Sequence, residues 1–421
     1  MTKSQRTTGQ ILAADSGQAR IEWADSQMPV LAEVRERFAR ERPLDGVRVA
    51  VCLHVTAETA NLIRALIAGG AEVAMCAANP LSTQDDVVAA LRQRDGAEVL
   101  AAHGESASEY VEHVRTLVGS RPRITIDDGA DLIGAIHELE PDAAKQMLGG
   151  TEETTAGLLR VRSLAAEGRL SCPILAVNES RAERAFNDRF GTGQSTVDGI
   201  LRATNILLAG RTVVVLGYGW TGRGVALRAA GAGASVIVCE VDPLRALEAR
   251  MEGYEVMDAL SAAERGDVFI TVTGGRDVLR AEHFQRMKDG ALLANSGHFD
   301  VEIDLDGLRE LADGRRRDVL PLVEEYVLED GRRLNLLAQG RVVNLAAGQG
   351  HPAAVMDLSF AVQALCVEHL VSSEGLSAGV LDVPETIDRE VARLKLDSLD
   401  IHIDTLSDEQ RIYRSAWEKG A

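Results

Sequence analysis

Two kinds of residue in this chain can do chemistry, and both stand just after apolar, strand-like runs. His54 follows the run 47–53, Asp127 and Asp128 follow 123–126, and Asn178 and Glu179 follow 173–177. Asn295 and His298 follow 291–294, and Asn344 follows 341–343. Imidazoles and carboxylates move protons near neutral pH, and amides orient hydroxyls. Taken alone, each of these residues also fits a helix cap or a turn. Taken together, at the ends of strands in both halves of the chain, they fit one shared redox cleft. The second kind is glycine. Gly217-Tyr-Gly219-Trp-Thr-Gly222 lies between the apolar runs 211–216 and 235–239. Gly217 permits the tight turn, Gly219 lets backbone approach a pyrophosphate, and Gly222 lets a helix pack close to the strand. The helix N-terminus then offers free N–H groups to phosphates. Glu240 stands about 20 residues further on, where a ribose-diol acceptor belongs. A carboxylate there repels a 2′-phosphate, so NAD is expected rather than NADP. No histidine pair has metal-ligand spacing, and no metal is expected.

The elements that must position these groups alternate strand and helix. Strands are expected at 47–53, 72–76, 97–101, 123–126 and 173–177, with helices such as 57–68 and 106–118 between them. The second half repeats the plan at 211–216, 235–239, 268–272, 291–294 and 341–343. This reads as α/β, with two doubly wound parallel-sheet domains and a small C-terminal helical segment. The expected division is a substrate domain at 1–188, to which 352–385 returns, a Rossmann NAD domain at 189–351, and an oligomerisation tail at 386–421. In that tail Ile387, Val391 and Leu394 share one helical face, which suggests docking on another subunit. Residues 1–20 are polar, lack the apolar core of a signal peptide, and are expected to fray.

Bulk composition excludes some partners. The 421 residues carry a net charge of -19, which disfavours nucleic acid and anionic membrane. No apolar run reads as long enough to span a bilayer. The five cysteines, 52, 76, 172, 239 and 366, are scattered and odd in number. They point to a reducing cytoplasm.

Longer stretches then carry a resemblance. They include Cys52-Leu-His-Val-Thr-Ala-Glu-Thr59, Ser82-Thr-Gln-Asp85, Asp127-Asp-Gly-Ala-Asp131 and Glu152-Glu-Thr-Thr155. Gly191-Thr-Gly-Gln-Ser195, Gly297-His-Phe-Asp-Val-Glu302 and Gly350-His-Pro352 belong to the same set. From about residue 21 to 406 the chain resembles the S-adenosylhomocysteine hydrolase family, in its archaeal and bacterial form with a short tail. The resemblance implies oxidation of the 3′-hydroxyl of an adenine nucleoside by bound NAD, which acidifies the 4′ proton. A base removes that proton, the 5′ substituent leaves, water adds, and the hydride returns. It implies Asp128 as the proton-abstracting carboxylate and His54 as acid/base for the 5′ leaving group. Glu153 would contact the ribose hydroxyls and His298 the 3′-oxygen. Thr56, Glu58, His351 and Met356 match adenine-pocket positions. Gly217, Gly219, Gly222, Glu240, Thr273, Asn295 and Asn344 form the implied cofactor set, and Asn178 lies at the hinge. A homotetramer is implied, acting on an adenine nucleoside or an S-adenosylhomocysteine-like molecule. The family's terminal lysine and tyrosine, which reach a neighbour's NAD, are not recognisable, although Tyr413 and Lys419 occur in altered order.

One segment departs from the family. Where a lysine and Asp-Asn are expected, the chain has Glu183 and the inverted Asn187-Asp188. No lysine occurs between Lys145 and Lys288, so no small shift restores it. The family lysine and aspartate flank the ribose hydroxyls and assist hydride transfer. A close unit charge at an effective dielectric near 20 is worth roughly 4 kcal/mol, so the reversal should oppose alkoxide formation. Arg184 is a possible substitute cation, but a poor proton carrier. Glu183 and Asn187 therefore join the candidate catalytic residues. Three readings follow. In the first, the chain is a paralogue that dehydrates an exocyclic CH2OH of a ketose-derived nucleoside in secondary metabolism, with His54 protonating the leaving hydroxide. In the second, it is a true S-adenosylhomocysteine hydrolase with local compensation. In the third, it is a non-catalytic NAD-binding regulator.

Overall fold

A computed structural model describes residues 3–297 and 300–415. In the first half β1 (Arg48–Leu53), β2 (Glu72–Ala77), β3 (Glu98–Leu100), β4 (Ile124–Asp127), β5 (Gly149–Glu152) and β6 (Pro173–Ala176) alternate with helices. The second half contains β7 (Thr212–Leu216), β8 (Ser235–Cys239), β9 (Glu255–Val256), β10 (Val268–Thr271) and β11 (Ala291–Asn295). It continues with β12 (Arg316–Leu320), β13 (Val323–Val327) and β14 (Arg333–Leu337), and a last strand, β15 (Gly379–Leu381), follows a long helix. The first sheet has the order β15-β6-β5-β4-β1-β2-β3, and the second β12-β13-β14-β11-β10-β7-β8-β9. Every pair in the first sheet is parallel. The second is parallel except for the β12–β13–β14 meander. Two α/β sheets are thus what the alternation of elements predicts.

Four departures have physical reasons. Residues expected to fray form the helix Lys3–Asp25. Ala14 and Ile21 are buried, and Gly17 lies so close to the Asp86 carbonyl that a Cβ would come within 1.9 Å of it. Arg20 and Ser16 bond the Asp86 carboxylate. A thin apolar stripe and one glycine were enough, in an otherwise polar run. The strand expected at 341–343 is a single bridge, Asn295 to Val342, leading into the short helix Val343–Ala346. The neighbour of β11 is β14, which arrives through the meander. β5, Gly-Gly-Thr-Glu, has no strand propensity of its own. It forms because a Cβ at Gly149 would meet the Pro173 carbonyl at 2.6 Å and one at Gly150 the Thr125 hydroxyl at 2.3 Å; only glycine lets β4 and β6 close on it. The helix Glu385–Ser398 turns its apolar face inward: Ile387, Val391 and Leu394 are buried in the first core of the same chain.

The helix Ala353–Ser372 has the length and apolarity of a membrane span, with a mean hydropathy of 1.5, contrary to the expectation that no such run exists. It packs in the first core, with Phe360, Ala361, Val362 and Cys366 buried. Buried polar residues interrupt it at Asp357, Ser359 and Gln363. All five cysteines are free and buried.

Candidate active site

Parallel sheets present their ligand groups at the carboxyl ends of strands, and here the two sheets do so toward one cleft of about 1410 Å³. His54 comes from the end of β1, Asp128 from β4, Glu153 from β5 and Asn178 from the turn after β6, and all four line it. The glycine turn after β7, Glu240 after β8 and Thr273 after β10 line the opposite side.

The closest reactive pair is His54 and Asp128, with Nε2 3.3 Å from Oδ2. Ser82 fixes the imidazole: its hydroxyl lies 2.6 Å from Nδ1 and donates to the Asn79 carbonyl. A hydroxyl has one proton, so Ser82 accepts from Nδ1–H and the His54 Nε2 faces Asp128. One mobile proton can then sit between ring and carboxylate, which is what an acid/base pair requires.

Around this pair the carboxyls crowd. Burial pushes Glu153 up to about 8, and the Asp128 charge adds to this. Among the described residues its one side-chain donor is Gln363 at 3.2 Å. Glu183 is 3% exposed. Burial pushes its carboxyl well above the usual range, and Glu153 and Asp188 push the same way. Burial also raises Asp188 to about 7, against the Arg184 charge. Arg184 itself pairs with Glu179 at 3.3 Å. Asn187 donates to the Ser359 hydroxyl at 2.7 Å. The segment 183–188 thus brings protonatable acids, and no lysine, to the cleft.

Thr56, Glu58, His351 and Met356 also line the cleft. Thr56 accepts from Thr59 N at the start of the helix Ala57–Ala68, and burial raises the Glu58 carboxyl. The Thr192 hydroxyl and the Asn344 amide both approach His351 Nε2, at 3.1 and 3.4 Å. Burial, with His54 acting in the same sense, holds this ring down to about 4, so it is neutral at physiological pH.

The cofactor side fits NAD on its own geometry. Gly217 has φ +106, and a Cβ there would meet the Val272 carbonyl at 2.7 Å. At Gly222 it would meet the Gly217 carbonyl at 2.0 Å, whereas at Gly219 nothing lies nearer than Arg245 at 3.7 Å. The turn is therefore closed on its inner side and open where a pyrophosphate approaches. Gly219 begins the helix Trp220–Gly231 with no side-chain cap, leaving N–H groups free. Glu240 accepts from the backbone of Tyr218, Val241 and Asp242, which aims it at the cleft mouth. Glu302 accepts from Thr273 N, Thr273 Oγ1 and Gly274 N and so holds Thr273 on the wall. Asn344 donates to Ser195 at 3.2 Å, and its Oδ1 is buried without a partner among the described residues, open to a donor from a ligand.

Two expected residues stand elsewhere. Asn295 is fully buried and does not line the cleft. Its amide ties Thr271, Gly297 and Gly340 together and so frames the wall. His298 lies outside the described residues. Ser82, Thr192, Ser359, Gln363 and Glu302 were not singled out one by one. Polar residues inside the apolar run 353–372 were the available signal for Ser359 and Gln363.

Comparison with known proteins agrees with this geometry. The family described as S-adenosyl-L-homocysteine hydrolase matches residues 7–147, and its NAD binding domain matches 188–350. Adenosylhomocysteinase of Aquifex aeolicus is 55% identical over 408 residues, 97% of either chain. S-inosyl-L-homocysteine hydrolase of Methanopyrus kandleri is 51% identical over 409 residues, covering 97% of this chain and 96% of its own. The protein of that name from Methanosarcina acetivorans is 53% identical over 406 residues, 96% of this chain and 98% of its own. With the acid/base pair facing a built NAD site across one cleft, the chain belongs to the S-adenosyl-L-homocysteine hydrolase family and is an NAD-dependent enzyme of it.

Proposed function

We propose that the protein hydrolyses the thioether of an S-nucleosyl-L-homocysteine by elimination and addition at the ribose. The observation that carries this is the His54–Asp128 pair, 3.3 Å apart at the strand ends opposite the glycine turn. The relatives that share this plan are named as hydrolases of S-adenosyl- or S-inosyl-homocysteine. NAD, when bound, supplies a reversible hydride acceptor at the sugar. Glu153 and Glu183 orient the ribose hydroxyls. Asp128 takes the 4′ proton, and His54 gives a proton to the departing 5′ group and takes one from the water that adds. His351, neutral and buried, offers the nucleobase a hydrogen-bonding edge together with Thr56 and Glu58. The domain division at 188/189 and 351/352 separates the sugar-binding and cofactor halves. A second copy would cover the tail, where Leu399, Ile403, Ile412 and Tyr413 are each more than half exposed; this supports a homo-oligomer, with a tetramer as the form proposed.

One observation favours a second reading, dehydration of a nucleoside CH2OH. Glu183 places a proton-holding carboxyl beside Glu153 where a cation would otherwise assist oxidation at the 3′-oxygen. Such an acid suits a sugar with a displaced hydroxyl. A non-catalytic role fits poorly with an intact proton-transfer pair.

The test is product analysis by mass spectrometry. Purified holoenzyme is incubated separately with S-adenosylhomocysteine, S-inosylhomocysteine and free adenine nucleosides, hydroxymethyl-ketose ones included. Release of homocysteine together with the intact free nucleoside establishes hydrolysis, and loss of one water from a nucleoside establishes dehydration. No product and no NADH absorbance with any of them would refute both. Under the second reading Glu183→Lys moves activity toward homocysteine release, since a cation introduced close to the sugar is worth roughly 4 kcal/mol at a dielectric near 20.

A further inference from the structure

Glu152 precedes the ribose-contacting Glu153 and has no access to the cleft: it is fully buried. Its carboxylate nevertheless faces both reactive turns. Oε2 accepts from Ala130 N at 2.9 Å, and Oε1 accepts from Gly129 N at 2.9 Å. The same Oε1 accepts from Thr154 N at 2.9 Å and Thr154 Oγ1 at 2.7 Å. The first two donors follow Asp128 directly, and the other two follow Glu153. One side chain on β5 therefore joins the tip of β4 to the tip of β5.

The turn it holds is strained. Gly129 has φ +104 and Ala130 φ +62. Two successive left-handed residues point consecutive N–H groups at one place, which makes a concave anion receptor. A non-glycine residue stays in that region only where its surroundings over-determine it. The other supports are consistent. Asp128 N donates to the Cys52 carbonyl and Glu153 N to the Asp127 carbonyl, each at 3.0 Å. Arg160 bonds the Gly129 carbonyl from outside. Asp127 Oδ2 accepts from Ile133 N at 2.7 Å, closing the far end of the turn. Gly157 makes room for the carboxylate, since a Cβ there would stand 2.2 Å from the Glu152 Cδ and Oε1.

We propose that Glu152 is a positioning residue for the reaction: its carboxylate sets the spacing between the proton-abstracting Asp128 and the hydroxyl-binding Glu153. This rests on the function proposed above, in which those two residues act on the same sugar. The glutamine variant keeps the size but turns an NH2 toward backbone N–H groups, so one turn must shift. A displacement of about 1 Å in a reacting group costs about a hundredfold in rate.

The experiment follows wash-in of solvent deuterium at the 4′ carbon, with turnover per bound NAD, in wild type, Glu152→Gln and Thr154→Val. Expected for Glu152→Gln is a loss of about a hundredfold in both rates, with bound NAD retained and a changed acidic limb of the pH–rate profile. Expected for Thr154→Val, which removes a single donor, is a loss of about fivefold. A folded, NAD-loaded Glu152→Gln enzyme within threefold of wild type overturns the proposal. Should that variant not fold, an unchanged wash-in rate in Thr154→Val overturns it instead, and a fivefold loss supports it. Wild-type enzyme that turns over with no wash-in refutes the underlying functional reading, a result distinguishable from the other two.

Discussion

The two sides of the cleft use carboxylates in opposite ways. On the cofactor side Glu240 and Glu302 each accept from three donors of neighbouring turns. These acids shape backbone. On the sugar side Glu153 and Glu183 have few donors and like-charged neighbours, and burial drives both toward the protonated form. These acids hold protons. By its donors Glu152 belongs with Glu240 and Glu302, although it is adjacent to Glu153 in sequence and burial, with Asp127 and Asp128, raises its carboxyl too. Neighbouring glutamates thus do different work because one points into the sheet and the next into the cleft, as strand alternation dictates.

The sharpest way to break this contrast is Asp128→Asn. The amide keeps the size and loses the basicity, so turnover should fall by about a thousandfold while bound NAD is retained. Steady-state rates and the ratio of NAD absorbance to protein check both. Loss of NAD with the rate per bound cofactor unchanged would place Asp128 among the shaping acids. On the opposite side Glu240→Ala should do the reverse. It removes a charged acceptor from the ribose diol and from three backbone N–H groups, and NAD should bind about thirtyfold more weakly. Turnover at saturating NAD should stay within a few fold. Titration calorimetry of NAD and NADP into apoenzyme reads the change, and preference over NADP should narrow because the repelling carboxylate is gone.

The cofactor side was the more legible from sequence, for a physical reason. Its recognition is local: Gly217, Gly219, Gly222 and Glu240 lie within one βαβ unit, and at Gly217 and Gly222 the backbone approaches so closely that only glycine fits. The sugar side is assembled from distant segments. His54, Asp128 and Glu153 could be placed at strand ends, yet Ser82, the partner of His54, arrives from a turn, and Gln363, the partner of Glu153, from a helix 210 residues away. The protonation of Glu183 depends on burial beside Glu153, which no spacing encodes. Asn295 shows the converse case. Its position after β11 is that of a ligand contact, but its side chain turns inward to hold Gly297 and Gly340. The helix at the N-terminus and the β12–β14 meander were missed because their stability comes from packing against the rest of the chain, not from local pattern.

The smallest expected effect, and the one that tests the contrast without touching a turn, is the pH dependence of stability. Glu153 ordinarily titrates at 4.5 and is pushed up to about 8 by burial and the Asp128 charge. Between those values the folded protein holds a proton that the unfolded chain has released. This contribution is complete below about pH 4.5 and is lost as pH rises through about 8. Asp188 and Asp127, each raised from 3.8 to about 7, and Glu183 and Glu152, both raised by burial, act with the same sign. His351 acts in the opposite sense: it is lowered from 6.5 to about 4 by burial and His54, so its cost appears only as pH falls below 6.5. Above pH 6.5 the acids act alone. The Tm of the enzyme should therefore fall by roughly 3–6 °C between pH 6.5 and 8.5. Glu153→Gln should flatten that slope, and Glu240→Ala should leave it as it was. A Tm that rises across this window, or a slope equally sensitive to both variants, would mean that the carboxyls on the two sides of the cleft do not divide as their surroundings indicate.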